Sequence, residues 1–177
     1  LKDKRRPLER HIDQNDFTIR LFSPQDWAEY KAIRLETLQM EPQFFGSTYA
    51  AEAAWSDDDW IDILKDSTVA TWGLYYKGDC VGMTRIGPFR DTKDTLILRA
   101  SYIRKEYRGM GLSALFYRVR IDWAKERGYR RLLVSHRVGN AASGAANQKF
   151  GFKYSHTDDK KWPDGKVEGH LFYELLL

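Results

Sequence analysis

The stretch that most constrains this chain runs from Thr95 to Glu126. Thr95–Ile103 is an apolar, β-prone run, and Arg104–Gly111 is a charged loop with two glycines. Beyond it, Leu112, Leu115, Phe116, Val119 and Trp123 recur at i, i+3, i+4, i+7 and i+11, and Gly128 closes the segment. That spacing draws one apolar stripe down a helix. A strand that turns so quickly into such a helix requires the helix to lie back on a sheet, so a layered α/β arrangement is expected. The turn also concentrates chemistry. The start of a helix presents unpaired N–H groups and the positive end of the helix dipole. Gly109 and Gly111 let the backbone approach a ligand with no Cβ in the way. Arg104, Lys105 and Arg108 against Glu106 leave a local charge of +2. The junction suits a pyrophosphate.

Other readings of this loop stand beside that one. A Walker-type loop is excluded, because no Gly-Lys-Ser/Thr follows. Gly109-Met110-Gly111-Leu112-Ser113-Ala114 has the outline of a dinucleotide fingerprint. That fingerprint follows directly on an apolar strand, whereas polar and aromatic residues intervene here. A glycine-softened turn with no ligand stays open at this point.

The rest of the chain reads as one domain, residues 16–177, behind a flexible basic arm, residues 1–15. A strand is expected from Phe17 to Phe22. A helix follows Ser23-Pro24, and Ser56 with Asp57, Asp58 and Asp59 starts a second one that runs to Lys65. Residues 42–54 read as an irregular aromatic loop over a cleft. Strands at Thr68–Tyr76 and Cys80–Pro88 form a hairpin through Lys77-Gly78-Asp79, and Thr95–Ile103 follows. After the long helix come a strand at Arg131–Val138, a short helix at Asn140–Phe150, and strands at Phe152–His156 and Gly169–Leu176. The order β-α-α-β-β-β-α-β-α-β-β implies an α+β or mixed α/β layer.

The chain has 177 residues and a formal net charge of +4. Residues 1–10 hold five basic groups against two acidic ones, a net of +3, so the basicity belongs mostly to the arm. A short run of like charge is ordinarily a solvated tail, and no nucleic-acid partner is expected. The single cysteine, Cys80, can make neither an internal disulfide nor a cysteine-rich zinc site, and no metal is expected. No stretch approaches the ~20 apolar residues of a membrane-spanning helix, and the location expected is cytoplasmic.

Two motifs then point to a family. Ile103-Arg104-Lys105-Glu106-Tyr107-Arg108-Gly109-Met110-Gly111-Leu112-Ser113 resembles the acyl-coenzyme A loop of the GNAT N-acetyltransferase superfamily, Arg/Gln-x-x-Gly-x-Gly/Ala. Arg108 and Gly111 match, and Ser113 stands for the final small residue. Downstream, Asn140, Ser143 and Lys149-Phe150-Gly151-Phe152 resemble the family's Asn-x-x-Ala and Lys-x-Gly-Phe segment. Weaker similarity covers Arg34-Leu35-Glu36-Thr37-Leu38, Phe44–Tyr49, Glu52 and Trp60, so the resemblance spans roughly residues 17–176.

The resemblance implies a mostly antiparallel sheet of about seven strands, splayed between the fourth and fifth, with helices on both faces. It implies acetyl-coenzyme A as co-substrate and a primary amine as acceptor, with direct attack in a ternary complex. Ser101, Tyr102 and Ile103 would bind the pantetheine arm through their backbone. The segment Arg108, Gly109, Met110, Gly111, Leu112 and Ser113 would cradle the pyrophosphate, and Asn140 would contact pantetheine or cap its helix. Many members carry a tyrosine seven residues beyond the asparagine as general acid; here that position is Asn147. A small-molecule acceptor is expected, with protein or peptide N-termini, or a non-catalytic acyl-coenzyme A-binding module, as alternatives. Whether the protein is a homodimer stays open.

An amine near pKa ~10.4 must lose a proton before it attacks. His136, late in the strand flanking the thioester, is the leading candidate base. Glu52 in the loop over the cleft and Tyr173 in the last strand are the others.

Overall fold

The computed structural model describes residues 13–90 and 92–177. Residues 1–12 of the expected arm therefore lie outside the described residues. Asp13 caps a 3-10 turn, Gln14–Asp16, which leads into the first strand.

Seven strands form one sheet among the described residues: β1 (Phe17–Leu21), β2 (Ala70–Tyr76), β3 (Asp79–Pro88), β4 (Thr95–Ile103), β5 (Arg131–Arg137), β6 (Lys153–Lys161) and β7 (Val167–Leu176). Their order is β1-β2-β3-β4-β5-β7-β6. Every neighbouring pair is antiparallel except β4 and β5, which run parallel. A parallel pair needs a crossover, and the amphipathic helix supplies it. The mixed α/β layer and the seven-stranded sheet expected from the sequence are what the chain forms.

The helices are α1 (Trp27–Met40), α2 (Tyr49–Ala53), α3 (Asp57–Lys65), α4 (Ser113–Glu126) and α5 (Ala141–Lys149). The serine signals act as read: Ser23 with Asp26, and Ser56 with Asp59, each close a capping box. One face of the sheet packs on α1 and α3 through Tyr30, Ile33, Trp60, Met83 and Tyr102. The other packs on α4 and α5. There Trp72, Leu96, Leu98, Leu132 and Val134 meet Tyr117 and Trp123, with Ala146 and Phe150 alongside. Burial drives the Cys80 thiol up to about 12, so it is an inert core residue.

Two local expectations change. Residues 42–54 are not irregular throughout: a 3-10 turn at Pro42–Phe44 is followed by α2, whose Thr48 hydroxyl accepts from the Ala51 amide at 3.1 Å. Thr48 is a good cap, and Ala50, Ala51 and Ala53 are strong helix formers. The β6 strand continues five residues beyond His156, to Lys161, pairing with β7 as far as Val167. It is an edge strand with polar residues on both faces, so no apolar alternation marks its outer half.

The feature that positions the site lies in β4. Its pairing with β5 stops after Leu98 opposite Val134. Two residues later Ala100 adopts φ +52°, and the register against β3 shifts between Met83 and Arg85. An extra residue in one strand is a bulge, which bends the strand and re-aims its side chains. The β4 end thus turns from β5 toward β3. The two backbones pass closely there: a Cβ on Gly82 would lie 2.6 Å from the Tyr102 carbonyl oxygen and 3.4 Å from Ile103 Cα. Backbone cannot yield as a side chain can. Gly82→Ala is expected to lose ~1–3 kcal/mol of stability by chemical denaturation. Gly87→Ala, which meets only a Val69 methyl at 3.3 Å, should lose less. Equal losses would contradict the close-approach account.

Candidate functional site

Where β4 and β5 part, the sheet opens into a cleft of about 1300 Å³. One side is walled by α4, α5 and the loop before α4. The other is walled by α1, the Glu41–Ser47 segment and the β6–β7 hairpin. Such a cleft is larger than a typical small-ligand pocket and suits two molecules meeting end to end.

At one end, Gly109 and Gly111 both adopt φ +76°. No described atom comes within 4 Å of where a Cβ on Gly109 would be. The amides of residues 109–113 donate to no described protein group, and Leu112 gives α4 no side-chain cap. These donors converge on the cleft at the positive end of a fourteen-residue helix. Gly111, Leu112, Ser113 and Gly109 line it; Met110 instead packs beside Phe17 and Phe116. Arg108 is tied down. Its Nε donates to the Ile103 carbonyl at 2.7 Å and its Nη1 pairs with Glu41 at 2.6 Å, which clamps the loop across the end of β4. Arg104 is held by Glu36 and Asp79.

Along β4, Ser101, Tyr102 and Ile103 line the cleft. The Tyr102 side chain points to α1, where its hydroxyl donates to Glu36 at 3.0 Å. Burial and that carboxylate raise its pKa. The β5-facing edge of β4 beyond Leu98 has no strand beside it. Ser101 Oγ accepts from Arg120 at 2.9 Å. Arg120 is wholly buried in α4, and desolvation brings its pKa down to about 10.

The α5 wall carries three of the expected residues. Asn140 caps its helix, accepting from the Ser143 amide at 3.2 Å. Asn147, in the position expected for a tyrosine, is buried, and its Oδ1 accepts from the Tyr117 hydroxyl at 2.5 Å. A phenol thus reaches this place from α4. His136 is buried beneath Gly144, whose added Cβ would lie 3.2 Å from its Nε2, and its Nδ1 bonds the Arg137 carbonyl at 2.9 Å. Two atoms on this wall, His136 Nε2 and Asn147 Nδ2, are buried with no hydrogen-bond partner among the described residues. Buried polar atoms left over in this way mark a place where a ligand completes the bonding.

Tyr173 is buried against His136, ring centroids 5.5 Å apart, and does not line the cleft. Glu52 takes a bidentate ion pair with Arg34, at 2.7 and 2.8 Å, with side-chain exposures of 4% and 12%. Breaking so buried a pair costs ~3–5 kcal/mol, so Glu52 serves first to hold α2 on α1. The structure brings His136, Arg108, Gly109, Gly111, Leu112 and Ser113 around one cleft and sets Tyr173 and Glu52 behind its walls.

The opposite floor carries residues that no sequence pattern marks. His170 on β7 lines the cleft, its Nε2 2.7 Å from Ser135 Oγ on β5. Arg34, Arg85 and Arg99 line it as well. No motif marks Arg85, Arg99, Ser135 or His170; only the pairing of β3, β4, β5 and β7 puts them on one face, and Arg34 joins them from α1.

The sequence model of the acetyltransferase (GNAT) family matches residues 33–152, more than half of the chain. An acetyltransferase of the GNAT family from Streptococcus pneumoniae shares the fold at a TM-score of 0.77 and 22% identity, over 91% of this chain and 99% of that one. A putative acetyltransferase from Salmonella typhimurium, solved with acetyl-CoA, superposes at 0.75 and 18% identity, covering 91% and 94%. A ribosomal-protein-alanine N-acetyltransferase from Brucella melitensis does so at 0.73 and 23%, covering 90% and 99%. At these identities the likeness is one of fold. No curated protein sequence matches the chain.

Burial and the charge of Lys160 hold His170 at about 4, below the ordinary 6.5. The unfolded chain takes up that proton below about 6.5, while the folded protein resists until about 4. Stability contributed by neutral His170 is therefore present above 6.5 and is lost as pH falls through this window. Urea unfolding at stepped pH should show the fall, and His170→Gln should make it shallower. An imidazole that titrates at its ordinary value in NMR would contradict this.

Proposed function

The chain belongs to the acetyltransferase (GNAT) family, and from that premise we propose that it transfers an acetyl group from acetyl-coenzyme A to the primary amine of a small acceptor. The observation that carries the reading is the parting of β4 and β5 directly beside the unpaired amides of residues 109–113. The fit is chemical. A pyrophosphate needs converging N–H donors, an amide-bearing arm needs a free strand edge, and a thioester needs a gap in the sheet. The Salmonella neighbour was solved with acetyl-CoA and a further one with coenzyme A, which supports the same use of the cleft.

Acetyl-coenzyme A supplies an acetyl group activated as a thioester. The amine nitrogen bonds to the acetyl carbon, the carbon–sulfur bond breaks, and the nitrogen gives up a proton. Holding both reactants in one cleft accounts for much of the rate. A β4 backbone N–H near the bulge would stabilise the developing oxygen charge. The buried donors on the α5 wall face the departing sulfur in this reading. Asn147 Nδ2, fixed in orientation by Tyr117, is a hydrogen-bond donor there, and a thiol of pKa ~8.5 can take its proton from water. His136 remains the candidate base on the thioester side, joined by the neutral His170–Ser135 pair on the acceptor side.

The compact acceptor is favoured by the roof. Arg137 Nη1 donates to the Gln43 carbonyl at 2.9 Å, and a Cβ on Gly46 would lie 2.8 Å from Lys160 Nζ. The Glu41–Ser47 segment thus reaches across to the β6–β7 hairpin and closes the cleft against a chain-like substrate. A non-catalytic binding module is the second reading, and it rests on Asn147 in the tyrosine position.

Thiol release from acetyl-coenzyme A in the presence of an amine panel tests the reading. Turnover with at least one small primary amine is expected. Gly111→Arg, which fills the cradle at a positive φ, should weaken acetyl-coenzyme A binding ~10-fold or more, the loss of about one charge-assisted hydrogen bond. Stabilisation by acetyl-coenzyme A without turnover on any amine would favour the binding module.

A further inference from the structure

On the α1 face of the sheet, Arg85 of β3 and Arg99 of β4 are direct cross-strand partners. Like charges opposite one another weaken a ladder. Neither has a described carboxylate within 4 Å. Arg85 Nη1 lies 3.4 Å from the Tyr30 hydroxyl, and Arg99 Nη2 donates to the Pro88 carbonyl at 2.7 Å. Both neutral partners leave the charges uncompensated. Burial and the field of Arg85 lower the pKa of Arg99. Asp66 feels Arg85, but its Oδ1 accepts from the Thr68 amide and hydroxyl.

The β6–β7 hairpin adds a third uncompensated cation. Lys160 lies 4.5 Å from the Trp162 ring centroid with no described carboxylate in ion-pair range, and burial lowers its pKa. Among the other deep arginines of the cleft region, Arg34 is matched by Glu52, Arg108 by Glu41, and Arg137 by Asp164 and Glu168, while Arg120, on the α4 side, donates to the Phe116 carbonyl and Ser101 Oγ. Arg90 at the rim faces Asp158 at 3.7 Å. Neutralisation elsewhere makes its absence at Arg85, Arg99 and Lys160 informative. Arg34 also keeps a buried Nη1 with no partner.

We propose that the acceptor is an amine that also bears an oxyanion, carboxylate or phosphate, and that Arg85, Arg99 and Lys160 hold that anion on the α1 side of the cleft. This deepens the acetyltransfer reading and rests on it. Two guanidinium forks facing one space match the planar geometry of a carboxylate or the oxygens of a phosphate. The Arg99 position places the anion one residue from the Ala100 bulge, beside the gap where the amine meets the thioester. The same positive potential disfavours an ammonium and favours the neutral nitrogen that attacks.

The test uses the full chain, acetyl-coenzyme A and amines matched in length that end in a carboxylate, a phosphate, a neutral amide or a second ammonium. Carboxylate or phosphate acceptors are expected to exceed the amide ~10-fold or more in kcat/KM, and the diamine to be poorest; the better anion identifies the source. Arg99→Gln should raise KM for the anionic acceptor ~10–100-fold, the range of a hydrogen bond to a charged group, without moving KM for acetyl-coenzyme A. Equal use of the amide or diamine, or unchanged discrimination in Arg99→Gln, would overturn the proposal while leaving acetyltransfer intact. No thiol release with any amine would count against acetyltransfer instead, and then a second measurement decides. Inorganic phosphate added to protein saturated with coenzyme A should raise Tm in the wild type and not in Arg85→Gln/Arg99→Gln. No rise in the wild type, or the same rise in the variant, would overturn the anion site. Without phosphate the double variant is expected to be at least as stable as the wild type, because it relieves the like-charge pair.

Discussion

The parallel pairing of β4 with β5 lasts for only four residue pairs, Thr95–Leu98 against Arg131–Val134, and the rest of the molecule is arranged around where it stops. Continuing the ladder would seal the sheet and give an ordinary two-layer core. The bulge at Ala100 instead turns the strand, leaving one edge of β4 unpaired inside the protein. An unpaired strand edge is costly when buried and inviting when accessible. Here it faces a cleft, with Gly82 yielding the space for β4 to lean toward β3. The same departure carries the chain into the loop whose amides meet at the start of α4. One backbone irregularity therefore makes the gap, frees the edge and aims the helix.

Charge is distributed with the same economy. Around the cleft, three arginines that shape the walls carry their own carboxylates and act as struts: Arg34 with Glu52, Arg104 with Glu36, Arg137 with Glu168. Arg108 changes meaning in this light. From the sequence it belongs to a phosphate loop; in the structure its guanidinium fixes that loop to Ile103 and Glu41, and the donors left free there are the backbone N–H groups of residues 109–113. Arg85 and Arg99, with no described carboxylate in ion-pair range, stand on the α1 face of the sheet.

Much of this was legible because it is local. The strand–loop–helix of residues 95–126, the serine caps and the cradle glycines each announce themselves within a few residues, and the order of elements then fixes a mixed sheet. Asn140 and Asn147 are legible through the motif that resembles the family's, seven residues apart at the cap and in the body of one helix. What stayed hidden is what pairing creates. Arg85, Arg99, Ser135 and His170 are far apart in sequence and meet only across strands. Tyr117 reads as another polar-tipped residue of α4 until its hydroxyl is seen on Asn147. Glu52 reads as a free acid because nothing in the sequence says that Arg34 lies against it. The outer half of β6 leaves no mark in the sequence, because an edge strand with polar faces has no period to read.

The central claim is that the gap between β4 and β5, with its amide cradle, receives acetyl-coenzyme A. The most direct test is amide NMR of the full chain titrated with acetyl-coenzyme A. The account predicts saturable shifts concentrated at the amides of Gly109, Gly111, Leu112 and Ser113 and along Ala100–Ile103. Shifts confined to other elements, or none at saturating coenzyme, would contradict it.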